Sequence, residues 1–475
     1  MNSVELISPN NVTANAMIRA IDMIRPQIQA QRPALVAFCV GTQINGTPHL
    51  GTSLVQAAFL LAAAARRAFS VEAVVRFGAL DNAPYDIQLD PETHHAYQIT
   101  YHHALGTDGV TELIDKNYRA FFDSLADATG IDYEIETYTE QQSIPAFRAE
   151  FLRTQRQLDT IRWPLSPSHG IVHLRLPCPA CGWAEKRAER TKLTRLADAS
   201  GAFTAVCTTC GPYEITVTPE AGPYIDLATL YRNLVKERVL AAEPATLNVM
   251  VKGGDWAPGC QLVDAAFAAL HGIHSPPRIF TPMALTDTGA KLSKSLIRDN
   301  KLPPPPGAQP WMLNATEWNG GIDDYVDAMV WLVRLMLSNP KHFYRSYTTL
   351  EVNRLMSTRS VTPTSPPRAR HMNLYRRYFD LVASGRKTIE VRVQYANLRN
   401  LAAGQYIRFA CGTDECLTRV VRVARYTSFD EMLDIEGPAN VNPDSPREEQ
   451  LANIRRIYNP EKEALGVLAI QIERV

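Results

Sequence analysis

Two short segments, far apart in the sequence, carry residue types that a phosphate-binding site needs. The first is residues 47–52 (TPHLGT), which follow an apolar run at 34–40 and open an alanine- and leucine-rich stretch with helical spacing. The second is residues 291–295 (KLSKS), which lie in a polar loop after another apolar run. A turn from strand to helix presents free backbone amides and the positive end of the helix dipole, and both attract phosphate. The two segments together therefore indicate a nucleotide site.

Four of the eight cysteines are spaced as two metal-binding knuckles. Cys178 and Cys181 form one pair, Cys207 and Cys210 form the other, and a glycine follows each pair. Two such pairs, about 25 residues apart, place four thiolates for a tetrahedral zinc ion. Because four cysteine ligands leave no open position, we expect a structural Zn2+, and the alternative is four unrelated thiols.

The composition is that of a globular protein with no excess of either charge. Of the 475 residues 45% are hydrophobic, and 49 basic residues balance 49 acidic ones, which excludes a protein that coats nucleic acid non-specifically. No uncharged apolar stretch reaches the roughly 18 residues that cross a bilayer, and the first residues lack the pattern of a signal peptide. We therefore expect a cytoplasmic protein with no membrane contact and with reduced cysteines.

Apolar runs alternate with helical patterns through the first 300 residues. Strands are predicted at 34–38, 71–77, 245–251 and 278–283. Helices are predicted at 51–69 and 261–270, and residues 1 to about 30 carry a helical pattern that ends before Pro26. This alternation predicts an α/β fold with a parallel, Rossmann-like sheet, into which the cysteine ribbon is inserted at about 174–216.

Proline-rich and Ser/Thr-rich segments divide the chain into four parts. We expect a nucleotide-binding catalytic domain at 1–300, a short helical connector at 301–358, a linker at 359–369 and a separate domain at 370–475. The short alternating strands of the last part predict a small β-barrel.

The two polar segments resemble the signature motifs of class I aminoacyl-tRNA synthetases, the His-Ile-Gly-His box and the Lys-Met-Ser-Lys-Ser loop, in the same order. The resemblance implies that ATP, with Mg2+, activates an amino acid as its adenylate and that pyrophosphate leaves. The second histidine of the box is replaced here by Thr52, which keeps a hydrogen-bond donor and loses the imidazole.

The same resemblance assigns a task to each residue of the two segments. His49 would donate to phosphate oxygens, and Gly51 would let the nucleotide approach the backbone. Lys291 and Lys294 would close onto the β- and γ-phosphates as charge moves to the leaving group. Pro48 would fix the approach of the chain to the helix. The hydroxyls of Thr52, Ser293 and Ser295 would be further hydrogen-bond donors.

The cysteine ribbon and the segment 251–255 (VKGGD) are similar to features of the class I lysyl-tRNA synthetases. This resemblance implies that Gly254 and Asp255 bind ATP, Asp255 through the ribose hydroxyls. Asp81, just after the second strand, is a candidate partner for the substrate ammonium, although it also fits an ordinary Asp-Asn turn. Asp226 is a second candidate for amino-acid binding. The identity of the amino acid does not follow from the resemblance.

The segment 385–392 (GRKTIEVR) resembles the most specific part of the ASCH domain, a small β-barrel relative of the PUA fold associated with RNA or nucleoside binding. Its cations suit phosphate and its carboxylate suits a base edge, so the acceptor-binding candidates are Arg386, Lys387, Glu390 and Arg392. Some ASCH proteins hydrolyse acylated cytidine with a lysine and a threonine three residues later. Here Glu390 stands in the threonine's place, which favours binding over hydrolysis.

The stretch between Ser295 and the linker is too short for the large anticodon-reading domain of a class I lysyl enzyme. The chain therefore resembles a synthetase paralogue whose tRNA-reading end has been cut down and replaced. We expect an AMP-forming ligase that passes an aminoacyl group to a tRNA or to a nucleoside-type small molecule. The alternative is a non-catalytic RNA- or nucleotide-binding protein that retains the scaffold. The oligomeric state stays open.

Overall fold

The computed structural model describes residues 18–270, 272, 274–293, 297, 303–359, 369–395, 398, 401–412 and 414–475. Its contacts divide the chain into two units, residues 1–122 with 134–359 and residues 123–133 with 360–475. Within the part of the chain described, no helix is both long enough and apolar enough to cross a membrane.

A five-stranded sheet, called the central sheet below, forms the core of the first unit. Its strands in spatial order are Arg278–Thr281, Thr246–Gly253, Leu35–Gln43, Glu72–Leu80 and Tyr133–Thr137. The three pairings among the first four strands are parallel. Residues 36–40 of the middle strand are all buried, as a sheet covered on both faces requires. The expected α/β class and parallel sheet are confirmed.

The strand order of the central sheet reverses beside Leu35–Gln43. The chain runs from this strand outward through Glu72–Leu80 to Tyr133–Thr137 and then returns to its other side as Thr246–Gly253. Because the connections leave Leu35–Gln43 in opposite directions, a crevice opens at the carboxyl ends of Leu35–Gln43 and Thr246–Gly253.

The first helices differ from the expected pattern at two points. The helix predicted to end before Pro26 is wrong: an α-helix begins there and spans Arg25–Gln31, after a 3-10 turn at Ala20–Ile24. Proline is acceptable in a first helical turn because no intrahelical N–H bond is made there. The stretch predicted as one helix is two, Leu50–Val55 and Ala57–Phe69, separated at Gln56.

The remaining elements before residue 360 surround the sheet and carry the ribbon. Further α-helices are Tyr101–Ile114, Ala120–Thr129, Tyr138–Ser143, Pro145–Arg156, Leu158–Leu165, Thr229–Ala241, Ala257–Leu270, Pro310–Leu313, Gly321–Leu337, Pro340–Phe343 and Thr349–Ser357, with a π-turn at Asp115–Arg119 and 3-10 turns at Gly254–Trp256 and Ala315–Glu317. The antiparallel ribbon strands are Lys192–Ala197, Ser200–Cys207 and Gly211–Val217. Smaller strands are Pro84–Leu89, Ala96–Thr100, Leu174–Arg175, Ala184–Glu185, Asp226–Leu227, Ala284–Leu285 and Tyr347–Thr348.

A second five-stranded sheet curls into a half-barrel in the C-terminal unit. Its spatial order is Ala369–Asn373, Tyr406–Cys411, Asp414–Tyr426, Val467–Arg474 and Ile389–Val393. Only the first pairing is parallel. The helices of this unit are Arg376–Ala383, Phe429–Glu436, Pro438–Val441, Arg447–Ile457 and Pro460–Glu463. The expected small barrel is confirmed, and the helices after Tyr426 are additional to the predicted strands.

A buried ion network joins the helix Thr229–Ala241 to the central sheet. The carboxylate of Glu237, which is fully buried, pairs with the Arg278 guanidinium and lies 3.2 Å from Lys252 Nζ. Arg278 also lies 2.8 Å from a carboxylate oxygen of Asp264. Burial alone would raise the pKa of Glu237, but Arg278 and Lys252 hold that pKa below its ordinary value. The helix is thus held to the sheet by charge as well as by apolar packing.

Replacement of Glu237 by glutamine tests this network. Glu237→Gln keeps the shape and removes the negative charge, so Arg278 and Lys252 lose most of their compensation, and we expect a loss of about 3 kcal/mol of unfolding free energy. Urea denaturation of the full chain measures the loss. The control is Glu134→Gln, which removes an exposed partner of Arg76 and should change stability by less than about 1 kcal/mol. Equal effects of the two variants would contradict a structural role for the network.

Candidate functional site

A cleft that is open to solvent lies at the reversal of strand order in the central sheet. One wall comes from the end of Leu35–Gln43 and the turn that follows it, including Gly41 and His49. The other wall comes from the turn after Thr246–Gly253 and from Lys291. Both motifs found in the sequence therefore meet in one cleft.

His49 caps the helix Leu50–Val55 with its side chain and its backbone. Its Nδ1 accepts from the Gly51 N–H at 3.1 Å, and its own N–H donates to Thr52 Oγ1 at 2.9 Å. Since Nδ1 is an acceptor, the neutral ring carries its proton on Nε2, which makes that atom a donor. A Cβ on Gly51 would lie 3.0 Å from His49 Cε1, so glycine leaves room for the ring to fold back on the helix.

Thr52, in the place of the family's second histidine, completes this cap. Its hydroxyl donates to the His49 carbonyl at 2.9 Å and accepts from the His49 N–H. Its single proton is therefore used within the cap, which gives Thr52 a positioning role for His49 in this structure. Reciprocal caps of this kind stabilise a helix start by about 1 kcal/mol.

The helical connector holds the loop in front of His49. Pro48 is buried and does not line the cleft; its carbonyl accepts from the Ala315 N–H at 2.8 Å. Thr47 Oγ1 donates to Asn314 Oδ1 at 2.7 Å. The hydroxyl of Ser53, on the helix Leu50–Val55, shares a hydrogen bond of 2.8 Å with the hydroxyl of Tyr325, on the helix Gly321–Leu337. Residues remote in sequence thus fix the position of the imidazole.

Asp255 and Lys291 form an ion pair on the opposite wall of the cleft. The Lys291 side chain remains 58% exposed, and that of Asp255 is 29% exposed. Lys291 is held on a tight turn in which the Leu292 N–H donates to the Ala284 carbonyl at 2.9 Å. Of the two residues predicted to bind ATP on this wall, Asp255 lines the cleft. Gly254 packs against the Thr281 carbonyl oxygen, which would lie 3.2 Å from a Cβ on Gly254.

The rest of the second motif is only partly described. The Ser293 carbonyl accepts from the Ile297 N–H at 3.2 Å, so this serine continues the loop that carries Lys291. Lys294 and Ser295 lie outside the described residues.

Two glycines keep side chains away from the strand ends on the other side of the cleft. Gly41 and Gly78 are register partners in the parallel strands Leu35–Gln43 and Glu72–Leu80. A Cβ on Gly41 would lie 3.2 Å from the Gly78 carbonyl oxygen, and a Cβ on Gly78 would lie 3.2 Å from Lys236 Nζ. A floor of backbone therefore extends from the cleft toward Glu72–Leu80.

Asp81 lies just beyond this floor. It is 1% exposed, its carboxylate accepts from the Thr139 N–H at 3.1 Å and from the Thr139 hydroxyl, and His102 Nδ1 lies 4.0 Å away. Burial raises the pKa of Asp81 despite these partners. The His102 ring stacks on Tyr224 with the ring centroids 5.3 Å apart. A cation beside Asp81 would stabilise its ionised form.

Asp226, the other candidate for amino-acid binding, has its oxygens occupied. It is fully buried, accepts from Arg175 Nε at 2.6 Å and Nη2 at 3.1 Å, and accepts from Asn82 Nδ2 at 2.8 Å. This bidentate pair ties the strand Asp226–Leu227 to Leu174–Arg175. The geometry gives Asp226 a structural role beside the site.

The four predicted cysteine ligands come together in the ribbon. Their sulfur atoms all lie within 4.8 Å of one another, and four thiolates on one zinc ion would be about 3.8 Å apart. The glycines after the pairs, Gly182 and Gly211, have φ of 78° and 79°, the left-handed conformation that such knuckles need. Burial would raise the pKa of Cys178, but backbone N–H groups of Ala180 and Cys181 bring it below its ordinary value. The donor set fits a structural Zn2+.

The ribbon is joined to the neighbourhood of Asp81 by close packing. A Cβ on Gly182 would come within 2.8 Å of the His103 Cβ, so this knuckle lies directly against His103. His103 Nδ1 bonds the Thr100 hydroxyl at 2.8 Å, and burial lowers the pKa of His103 to about 4. A neutral, packed His103 links the metal knuckle to the adjacent His102.

In the C-terminal unit, three of the four predicted acceptor-binding residues form one network, in which Lys387 and Glu390 are buried and Arg392 is partly exposed. Lys387 Nζ donates to the carbonyls of Ile389 at 2.6 Å and Val441 at 2.9 Å, and lies 3.4 Å from Glu390 Oε2. Glu390 Oε1 lies 2.9 Å from Arg392 Nη1. Burial lowers the pKa of Lys387. The fourth residue, Arg386, lies at the surface and pairs with Asp444.

Comparison with family models identifies this unit. Residues 372–475 match the model of the ASCH domain. The C-terminal segment is an ASCH domain. A solution structure of a protein from Pyrococcus furiosus is 36% identical, covers 22% of this chain and 96% of that chain, and has a TM-score of 0.20. A search of curated proteins found no match.

Among the solved structures that align with about 70% of the chain are aminoacyl-tRNA synthetases. Mycobacterium tuberculosis methionyl-tRNA synthetase in complex with methionyl-adenylate is 14% identical over 69% of this chain and 68% of that chain, with a TM-score of 0.35. Trypanosoma brucei tryptophanyl-tRNA synthetase is 8% identical over 70% of this chain and 84% of that chain, with a TM-score of 0.31. Similarity this low carries no conclusion about activity, which rests on the cleft.

Within the ASCH domain, Lys387 has an acceptor for each of its three N–H bonds, so it cannot add a ligand without losing a partner. Arg392 is 21% exposed in its side chain and also donates to the Asn373 carbonyl at 3.2 Å. The guanidinium groups of Arg386 and Arg392 are therefore the accessible cations among the four residues.

Several residues of the site have no motif that would reveal them. Lys236 and Arg232 lie on a helix whose sequence mixes apolar and charged residues without a recognisable motif. Gly41 and Gly78 could have been found, because each interrupts an apolar strand near its end. The contacts of Thr139 with Asp81 depend on the tertiary structure alone.

Metal content tests the ribbon. We expect about one zinc ion per chain in protein purified without chelator, because the four sulfur atoms fit one tetrahedral site. Cys178→Ser should lose the metal and lower the melting temperature; elemental analysis and thermal unfolding measure both. Cys411→Ser, outside the cluster, is the control and should retain the metal. Equal zinc content in the two variants would remove the cluster as the binding site.

Proposed function

We propose that this protein is an ATP-dependent, AMP-forming ligase that activates an amino acid as its adenylate and transfers the aminoacyl group to a tRNA or a nucleoside-type acceptor. The observation that carries the proposal is the meeting of His49 and Lys291 across one cleft at the strand reversal. Open α/β sheets bind their ligands at such a reversal. A hydrogen-bond donor and a partly exposed cation at this place suit the α-phosphate reaction of ATP.

The nucleotide would occupy the side of the cleft between Leu35–Gln43 and Thr246–Gly253. His49 would donate from Nε2 to phosphate oxygen, and Asp255 would accept from the ribose hydroxyls. Asp255 and Lys291 form an ion pair with each other in this structure. ATP would offer each of them a new partner. The ribose hydroxyls would bind the Asp255 carboxylate, and the phosphates, with their Mg2+, would bind the Lys291 ammonium. The ion pair would therefore open when the nucleotide binds.

The amino acid would occupy the backbone floor between Gly41 and Gly78. Its ammonium would pair with Asp81, and its α-carboxylate would lie at Gly41 beside the α-phosphate. One carboxylate oxygen attacks the α-phosphorus, the bond to the β-phosphate oxygen breaks, and pyrophosphate leaves. No proton has to be removed, because the carboxylate is already ionised. The reaction therefore depends on position and charge.

The acceptor is assigned to the ASCH domain through the two accessible arginines. Arg386 and Arg392 would contact phosphate of a tRNA or nucleotide-like acceptor, and Lys387 with Glu390 would hold Arg392 in place. All three N–H bonds of Lys387 already have acceptors within the domain, which supports a binding role of this domain over hydrolysis.

Amino-acid-dependent exchange of labelled pyrophosphate into ATP tests activation. We expect exchange with at least one amino acid, and a loss of about 100-fold or more in His49→Ala because a donor to the transition-state charge is removed. His342→Ala, which alters an exposed histidine elsewhere, is the control. Exchange that is unchanged in His49→Ala would defeat the assignment. Absence of exchange in the parent protein, together with nucleotide binding, would favour the non-catalytic alternative.

The acceptor is tested by adding total tRNA, either intact or oxidised at its 3′ end. If tRNA is the acceptor, labelled amino acid should become acid-precipitable with intact tRNA only, since the terminal ribose hydroxyl is the attacking group. Arg386→Ala and Arg392→Ala should each reduce this transfer more than they reduce exchange, by about 10-fold for one charge-assisted contact. Exchange without any labelling of RNA would point to a small-molecule acceptor.

A further inference from the structure

Two cations beside the proposed amino-acid position, the buried Arg232 and the half-buried Lys236, have no carboxylate partner at ion-pair distance among the described residues. Arg232 and Lys236 lie one turn apart on the helix Thr229–Ala241. Among the described residues, no carboxylate oxygen lies within ion-pair distance of either side chain. Arg232 donates to the side-chain carbonyl of Asn82 at 3.1 Å and lies over the Tyr138 ring at 5.7 Å. The next residue of the helix, Glu237, is by contrast fully paired.

Lys236 points its ammonium to the backbone floor described above. Its Nζ lies 3.2 Å from the place where a Cβ on Gly78 would stand, and Gly78 is the register partner of Gly41. The titratable groups around it are Cys39, Lys252, Glu136 and Arg232. Of these, Glu136 accepts from Gln141 Nε2 at 2.9 Å and is directed there. The floor is open because both strands carry glycine at this level.

An ammonium and a guanidinium in such a position are costly without an anion. Buried charges are normally paired, since transfer from water removes their hydration. Burial lowers the pKa of Lys236 and of Arg232, and each cation disfavours the charge of the other. A carboxylate placed between them would accept from both and would relieve this cost.

We propose that the activated amino acid has an acidic side chain whose carboxylate binds between Lys236 and Arg232. The proposal rests on the proposed function, which places the α-carboxylate at Gly41 and the ammonium at Asp81. Neighbouring strands are about 4.8 Å apart, a step that an aspartate or glutamate side chain can span from Gly41 to Gly78. A side-chain amide would leave both cations uncompensated, and lysine would add a third positive charge.

The substrate class is tested on the full chain by pyrophosphate exchange and by calorimetric binding without ATP. The ligands are L-glutamate, L-aspartate, L-glutamine, L-asparagine, L-lysine and glutarate, which has two carboxylates and no amino group. We expect exchange with glutamate or aspartate and at least about 100-fold weaker use of the matching amide, because the amide leaves buried charges unpaired.

The variant Lys236→Met removes the charge and keeps the length of the side chain. We expect KM for the acidic amino acid to rise about 100-fold, with the preference over the amide lost, while Lys236→Arg retains part of the preference. Lys341→Met, at an exposed site, is the control. If Lys236→Met does not fold, as judged by its melting curve, Arg232→Gln replaces it in the same assays.

The outcomes separate this inference from the proposed function. If a neutral or basic amino acid supports exchange and the acidic ones do not, the inference of an acidic substrate is overturned, while the proposed ligase function is retained. Tight binding of glutarate equal to that of glutamate overturns an amino-acid ligand at this position. If no amino acid supports exchange, the ligase fails, and calorimetry decides the inference: binding of glutamate or aspartate that Lys236→Met abolishes supports it, and no binding overturns it.

Discussion

The reversal of strand order beside Leu35–Gln43 is the constraint on which the rest of the site depends. Parallel strands end at the same edge, and connections that leave in opposite directions cannot both cover that edge. The crevice that results brings His49 and Lys291 together, although their segments are far apart in the chain. Gly41, Gly78 and Gly253 keep the strand ends free of side chains, so the crevice stays open for a ligand.

Charge is distributed unevenly around this crevice. Glu237, Arg278 and Lys252 neutralise one another beside the strand Thr246–Gly253, and Asp255 neutralises Lys291. On the side of Glu72–Leu80, the buried Arg232 and the half-buried Lys236 have no such ion pair among the described residues. Since unbalanced buried charge destabilises a fold, it indicates a ligand of complementary charge. The zinc ribbon supports this side, because Gly182 packs on His103 next to the Asp81 neighbourhood.

Local sequence patterns predicted the elements well where burial and periodicity agree. Four of the five strands of each sheet were predicted, because apolar residues are continuous or alternating there; the edge strands Tyr133–Thr137 and Ala369–Asn373 were not predicted. The pattern failed at Pro26, which can begin a helix as readily as it can end one. The binding roles expected of Gly254 and Asp226 stay predictions; the structure adds that Gly254 lies close to the Thr281 carbonyl and that Asp226 is paired with Arg175. Such partners come from distant segments and leave no local trace.

What the sequence by itself determined is the chemistry available: a capped histidine turn, lysines on a loop, four cysteines at zinc spacing and an ASCH segment. Each of these is carried by short motifs with recognisable spacing, even where two motifs lie about 25 residues apart, as the two cysteine pairs do. Only the tertiary structure decided which groups face one another across the crevice and which carboxylates are already paired. It also decided that the cations Lys236 and Arg232 have no carboxylate partner in the described part of the chain. These outcomes depend on desolvation and on contacts between remote elements, and both exist only when the chain has folded.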